Sequence, residues 1–172
     1  LRVRPPMDAL LSYAVGPAGR QPPVRLPVAA LGRPVASRRE GGRLLLADAS
    51  AIGLGLELRA PQPALELLAA APAWHVYLHL RDHRPQVAGE LLSLFYYATM
   101  ARVRPLPGGG LSAGLRLVRQ GTFDVVSTQV GLASRDDPFL EGIDLIGVST
   151  DATELRSAVN AFRDVFDQRI QA

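Results

Sequence analysis

The chain has 172 residues, of which 48% are hydrophobic, and this is enough for one compact domain with its own core. It contains no cysteine, which excludes disulfide bonds, thiolate metal sites and cysteine nucleophiles. The 19 basic residues are all arginine, the acidic residues number 16, and the formal net charge is +3. Arginine binds phosphate and guanine in bidentate geometry, so this surface suits an anionic ligand, although genomic base composition explains the arginine excess equally well.

The apolar runs are too short or too interrupted for a membrane-spanning helix, which needs ~20 consecutive apolar residues. The longest lie around Leu91–Met100 and Leu67–Leu80, and Pro72 and His75 interrupt the second. The first residues show no basic segment followed by an apolar one, as a signal peptide would. We therefore expect no membrane segment, a cytoplasmic location, and a single domain over residues 1–172.

The beginning of the chain is rich in proline and glycine. Residues 1–8 are predicted to form a basic, extended arm, because proline disfavours helical backbone at its own position and at the preceding one. A first strand is expected over Ala9–Val15, ending at Gly16. Residues 16–42 are interpreted as an insertion, in which the prolines of residues 24–35 allow an edge strand at most.

A short polar stretch between two apolar runs is the first candidate site. The runs cover residues 43–47 and 54–58 and predict strands, and the stretch between them contains Asp48, Ser50 and Gly53. A glycine here indicates a turn at which the two polar side chains converge on a ligand. The alternative is an ordinary turn between two strands that binds nothing.

The clearest alternation of apolar and polar residues predicts a strand over Trp74–Leu80, after one or two helical turns within residues 61–72. His75 and His79 fall on the polar side of this strand, which we expect to be exposed to solvent. Strand rise separates these two histidines by about 13 Å, too far to share one ion, so no metal site is predicted.

A β-hairpin is predicted next, with strands over residues 91–104 and 111–118 and a glycine-rich turn at residues 105–110. The turn lacks the lysine and hydroxyl residue that end a phosphate-binding loop, so no nucleotide is assigned to it. Two further strands are expected over residues 123–132 and 143–148. No arrangement of nucleophile, base and carboxylate is recognisable, so the protein is not expected to be an enzyme.

The chain closes with a predicted amphipathic helix over residues 151–170. Asp151 and Glu154 are spaced as in a capping box, and an apolar stripe follows at helical period. The stripe is expected to pack on the strands, on a partner protein or on a second copy of the chain. Together the elements predict a mainly β fold, an antiparallel barrel of six or more strands with a C-terminal helix.

The spacing Asp48-x-Ser50-x-x-Gly53 resembles a signature of PilZ domains, which are small six-stranded barrels that bind cyclic di-GMP. The signature lies between two strands here, as it does in that family. The resemblance extends over residues 1–15 and 43–118 and over the final helix. Residues 16–42 remain an insertion, and residues 119–148 extend beyond the compact family pattern.

A second PilZ signature, Arg-x-x-x-Arg, precedes the first strand of that family. The segment from Arg4 to Tyr13 resembles its second half, so the first arginine of the pair would fall immediately before Leu1. Either that arginine precedes the sequence given, or the pair is degenerate and Arg2 partly substitutes for it. Arg39 and Arg43 have the spacing of the pair, but they follow the first strand and are interpreted as solvated turn residues.

The resemblance implies a regulatory domain whose cyclic di-GMP site draws on Arg2, Arg4, Asp48, Ser50 and Gly53. In this reading Asp48 accepts guanine N–H groups, Ser50 donates to phosphate or base, and Gly53 leaves room for the ligand. Folding of the arm onto bound ligand would convert binding into a signal.

Two other functions compete with this one. The first is a PilZ-like module that has lost the nucleotide and binds a protein partner or a second copy through residues 119–148 or the helix. The second is a basic barrel that binds nucleic acid, which we consider the weaker hypothesis because base composition alone accounts for the arginines. Its side chains would be four arginines and two stacking tyrosines: Arg102, Arg104, Arg116, Arg119, Tyr96 and Tyr97.

Overall fold

The structure is a computed structural model that describes residues 10–27, 34–37, 40–50, 52–81, 91–122 and 142–148. These residues form nine β-strands and one α-helix. In chain order they are β1 (Leu10–Ala18), β2 (Arg25–Pro27), β3 (Ala36–Ser37), β4 (Arg43–Ser50), β5 (Gly53–Arg59), α1 (Gln62–Ala70), β6 (Ala73–Arg81), β7 (Leu91–Pro105), β8 (Leu111–Thr122) and β9 (Gly142–Gly147).

The strands pair antiparallel in one curled sheet that resembles half a barrel. Its order is β2-β9-β8-β7-β6-β1-β3, and the hairpin of β4 and β5 joins the sheet where β5 pairs with β8. The mainly antiparallel β fold predicted from the sequence is therefore confirmed. The C-terminal helix predicted over residues 151–170, the arm over residues 1–8 and the strand over residues 123–132 lie outside the described residues.

The main core lies on one face of this sheet, where alternate side chains of its strands meet. The predicted alternation of β6 is confirmed, because Trp74, Val76 and Leu78 are 0% exposed. In β5 the leucines are buried at the same two-residue period, whereas Ile52 precedes the strand and is 48% exposed. The buried side chains that β5 and β8 add to this core are Leu54, Leu56, Leu58, Leu111, Ala113, Leu115 and Leu117.

Helix α1 packs on the main core through one short apolar face. Ala64, Leu65 and Leu68 are its buried residues, at the spacing that places side chains on one side of a helix. Pro61 occupies the N-cap, and the helix stops at Ala70, after which the chain is extended. The helix predicted here is confirmed, and its nine residues make it longer than the one or two turns expected. In the described part of the chain, no helix is long and apolar enough to cross a membrane.

Strand β1 runs beyond its predicted end at Gly16. Its pairing with β6 continues through Pro17 to Ala18, so the backbone stays extended there. Strand β3 pairs with β1 only at Ala14 and Val15, so the later residues of β1 have one neighbouring strand among the described residues. Proline lacks an N–H and is tolerated at such an edge position, whereas a central strand would lose a hydrogen bond.

The segment interpreted as an insertion contributes to the sheet. Residues 16–42 contain β2 and β3, and β2 is the edge strand expected among the prolines of residues 24–35. It pairs with β9, which confirms the strand predicted over residues 143–148. The hairpin predicted over residues 91–118 is also confirmed, with left-handed backbone at three consecutive glycines, Gly108, Gly109 and Gly110.

The polar side of β6 is covered, and the prediction of solvent-exposed histidines is wrong. Tyr77 of β6 and Phe95 of β7 pack with Leu26 of β2 and Leu145 of β9 in a second apolar cluster. These contacts join residues far apart in the sequence, so the alternation of β6 could not indicate them. The result is a sheet that is apolar on both faces at β6 and β7.

The histidines of β6 lie within this covered side. The ring of His75 contacts Phe95 and Tyr97, at centroid distances of 5.6 and 5.8 Å. Nδ1 of His75 and Nε2 of His79 are buried and have no hydrogen-bond partner among the described residues. Burial therefore lowers the pKa of both imidazoles, because the protonated form loses its solvation.

Candidate functional site

Asp48 and Ser50 both lie in strand β4, and not in a turn as predicted. Ser50 pairs with Gly53, so β4 and β5 continue to within two residues of each other. Side chains two positions apart in a strand point to the same face, so those of Asp48 and Ser50 are neighbours without any turn. The convergence inferred from the motif is present, but strand periodicity produces it.

A β-bulge decides which face of the sheet these two side chains occupy. The register between β4 and β5 shifts by one residue between Leu46 and Asp48, which makes Ala47 the extra residue. Leu46 is buried in the main core, and in a regular strand Asp48 would point the same way. The bulge reverses the alternation, so that Ala49 is buried and Asp48 lies on the outer face.

Two glycines of β5 make room for these polar side chains. A methyl group at Gly55, the pairing partner of Asp48, would lie 2.8 Å from Cγ and Oδ2 of Asp48. A methyl group at Gly53 would lie 3.1 Å from the carbonyl oxygen of Leu115. The hydroxyl of Ser50 donates a hydrogen bond to the carbonyl oxygen of Gly53 at 3.3 Å. Only glycine allows this close approach at Gly55 with Asp48 in its present position.

The outer face continues from β5 across β8 to β7. Gly55 pairs with Gly114 of β8, and Gly114 pairs in turn with Arg102 of β7. A methyl group at Gly114 would lie 3.6 Å from Cβ and 3.9 Å from Nε of Arg102, so this side chain passes over the glycine. Arg116 of β8 is exposed beside Gly53, its partner in β5.

Asp48, Gly55, Gly114 and Arg102 thus form one cross-strand row, here called the glycine row. Its ends are a carboxylate and a guanidinium group, and about 14 Å separates their Cα atoms over three strand spacings. The two central positions have no side chains of their own, so the side chains of Asp48 and Arg102 lie over a floor of backbone. Such a row offers acceptors at one end and donors at the other to a flat polar ligand.

Of the remaining arginines considered for the site, Arg43 is the one that the structure describes, and it lies away from the glycine row. Arg2, Arg4 and Arg39 lie outside the described residues. Arg43 opens β4, roughly 16 Å from Asp48 by strand rise, and is exposed opposite Arg59. It therefore takes no part in the row.

Sequence reasoning did not assign three members of the row to the site, namely Gly55, Gly114 and Arg102. A signal existed in β5, where Gly53 and Gly55 follow the two-residue period of the polar face. The membership of Arg102 had no such local signal, because it depends on the register between β7 and β8.

The hypothesis of a nucleic-acid surface built on tyrosines is contradicted. Tyr96 and Tyr97 are 5% and 1% exposed, so neither ring offers a face on which a base could stack. Burial raises the pKa of Tyr96 to about 12. The hydroxyl of Tyr97 donates a hydrogen bond to the carbonyl oxygen of Gly19 at 2.6 Å, which connects β7 to the end of β1.

The described residues contain no group of three or more histidine, aspartate or glutamate side chains placed to hold a metal ion. No protein-family model, curated protein or solved structure matches the chain. The candidate site therefore rests on the motif in β4 and β5 and on the geometry of the outer face that these strands share with β7 and β8.

Proposed function

We propose that the chain is a PilZ-type regulatory domain that binds cyclic di-GMP on the outer face of β4, β5 and β8. The observation that supports this most directly is the bulge at Ala47. It brings Asp48 and Ser50, the two polar residues of the motif, onto one face, where the glycines of β5 leave room for these two side chains. Bulges are common where a strand must re-aim a functional side chain.

The chemistry of this face matches the ligand. Guanine carries N–H donors on its Watson–Crick edge, which a carboxylate such as Asp48 accepts. The hydroxyl of Ser50 is a donor for a phosphate or base oxygen, and Arg116 is exposed next to it, where it offsets phosphate charge. Arg4, with Arg2 beside it, supplies further guanidinium groups in this proposal, and closure of the arm over the ligand is the regulatory event.

The test is calorimetric titration of the protein with cyclic di-GMP. We expect binding by the wild-type chain, and weaker binding by ~1–3 kcal/mol when Asp48→Ala removes the acceptor for guanine. Glu66→Ala is the matched control, because it removes the same charge from the exposed surface of α1. A ligand at 100 times its dissociation constant should also stabilise the fold by about 2.7 kcal/mol. The absence of both binding heat and a shift in Tm at saturating nucleotide would reject the proposal.

A role for the chain as a protein-binding module without nucleotide stays a prediction. The regions assigned to that role were residues 119–148 and the C-terminal helix. Of these, residues 119–122 and 142–148 are described, and they pair with each other and with β2 and β7 inside the sheet. No described contact there favours this role over ligand binding.

A further inference from the structure

Strand β7 contains a second bulge, at the other end of the glycine row. The register between β7 and β8 shifts by one residue between Met100 and Arg102, so that Ala101 is the extra residue. Met100 packs on the main core, and without the bulge Arg102 would point in the same direction. The extra residue turns Arg102 to the outer face, where it is exposed.

The two bulges stand on either side of the two strands that carry the glycines. In each case the residue immediately after the bulge is charged, Asp48 in β4 and Arg102 in β7, and each leans over the neighbouring glycine. One bulge is needed to present the motif aspartate. The second bulge has no role in the motif, yet it presents an opposite charge to the same backbone floor.

We propose that Arg102 is a further ligand-binding residue, which contacts a guanine base held at the outer face of the glycine row by Asp48. This inference rests on the proposed function and identifies a residue that the motif does not contain. A carboxylate at one end of the floor accepts the N1–H and N2–H groups of guanine. A guanidinium group at the other end donates to O6 and N7, the bidentate arrangement by which arginine recognises guanine.

The same geometry predicts selectivity between purines. Adenine carries an N–H donor at the position of the guanine O6 acceptor and an unprotonated N1 at the position of the guanine N–H. Arg102 would then face a donor in place of O6 and keep only N7 as an acceptor, and Asp48 would face an acceptor, so the bidentate contact of Arg102 and the contact of Asp48 would both be lost. Arg102 is therefore expected to raise the preference for cyclic di-GMP over cyclic di-AMP as well as the affinity.

Arg104 provides a matched control for this residue. It lies two positions further along β7, it is equally exposed, and it has the same charge. It pairs with Ser112, whose other neighbour is Glu57 of β5, so it belongs to a different cross-strand row without a glycine floor. A general effect of positive charge would appear at both arginines, whereas a contact with the base would appear at Arg102 alone.

The experiment is calorimetric titration of the wild type, Arg102→Ala and Arg104→Ala with cyclic di-GMP and with cyclic di-AMP. We expect Arg102→Ala to weaken the binding of cyclic di-GMP by about 5- to 150-fold and to reduce the preference over cyclic di-AMP. Arg104→Ala should change affinity by less than about threefold. Tm without ligand should be the same in all three proteins, because both side chains are exposed.

Two results overturn this inference, and they separate it from the proposed function. Equal effects of the two arginine variants, with binding still dependent on Asp48, would reject a role for Arg102 and leave the proposed function intact. No binding by the wild type would reject both.

Discussion

The indole nitrogen of Trp74 donates a hydrogen bond to the carbonyl oxygen of Leu68, 2.8 Å away inside the main core. Leu68 lies in the last turn of α1, where carbonyl groups have no partner within the helix. The same carbonyl also accepts the N–H of Ala71 at 3.2 Å. The side chain of Trp74 in β6 thus supplies a hydrogen-bond donor to a carbonyl group at the end of the helix, and it holds the helix against the sheet.

Replacement of this tryptophan should destabilise the fold. Trp74→Phe keeps an aromatic ring but removes the hydrogen bond and part of the core volume, at an expected cost of ~1–3 kcal/mol in the free energy of unfolding. Urea unfolding followed by circular dichroism measures the difference. Leu67→Ala, at a residue of the same helix that is 54% exposed, should change stability by less than about 0.5 kcal/mol. Equal stability of Trp74→Phe and the wild type would contradict a structural role for the hydrogen bond.

The hairpin turn between β7 and β8 should tolerate no side chain at Gly110. Its φ is +107°, and a methyl group there would lie 2.6 Å from the carbonyl oxygen of Leu58. Gly110→Ala should therefore cost more than the ~1–3 kcal/mol typical of a strained backbone position. Gly109→Ala is the control, with φ of +96° but no atom within 4 Å of the added methyl group. Equal losses in Tm for the two variants would mean that the contact with Leu58 has no effect.

Gly55→Ala should reduce ligand affinity more than it reduces stability. The added methyl group would collide with the carboxylate of Asp48, which is the end of a short, rotatable side chain. Asp48 is expected to rotate away, so that affinity for cyclic di-GMP falls about as far as in Asp48→Ala. Gly16→Ala, where no atom lies within 4 Å of the new methyl group, should bind as the wild type does. Full affinity of Gly55→Ala in the same titration would show that the present position of Asp48 is not needed.

The covered histidines of β6 should make stability depend on pH. Their pKa values in the folded protein are below the ordinary 6.5, so the unfolded chain binds protons more readily. The contribution of the two neutral histidines to the free energy of unfolding is thus complete above about pH 6.5 and decreases as the pH falls below that value. Urea unfolding at pH 7.5 and pH 5.5 should show this loss, and it should be smaller in a variant with His75→Gln and His79→Gln. The same loss in both proteins would assign the pH dependence to other groups.

Local patterns predicted the strands well because an antiparallel sheet with one buried face imposes a two-residue period. Trp74–Leu80 and the leucines of β5 follow that period. The three consecutive glycines at residues 108–110 indicated the hairpin turn, and their backbone is left-handed in the structure. The local pattern could not predict that other strands cover the polar side of β6. It depends on Leu26 and Leu145, which come from strands far from β6 in the sequence.

The candidate site was predictable only in part. The motif pointed to Asp48 and Ser50 of β4, but a turn was invoked to bring them together where strand geometry suffices. The bulges at Ala47 and Ala101 leave no trace in composition, because alanine fits on either face of a sheet. Without them the register across the four strands cannot be derived, and Arg102 cannot be assigned to the row that begins at Asp48.

The length of β7 has a consequence for how the protein opens. The strand has 15 residues, and its central amides at Tyr96–Thr99 are paired with β6 on one side and β8 on the other. Exchange of these amides with solvent deuterium should require unfolding of the whole sheet. In contrast, β4 pairs only with β5 among the described strands, so its amides should exchange through local opening of that hairpin. The part of the proposed ligand-binding face that carries Asp48 and Ser50 is therefore expected to fluctuate, while the part formed by β7 and β8 stays closed.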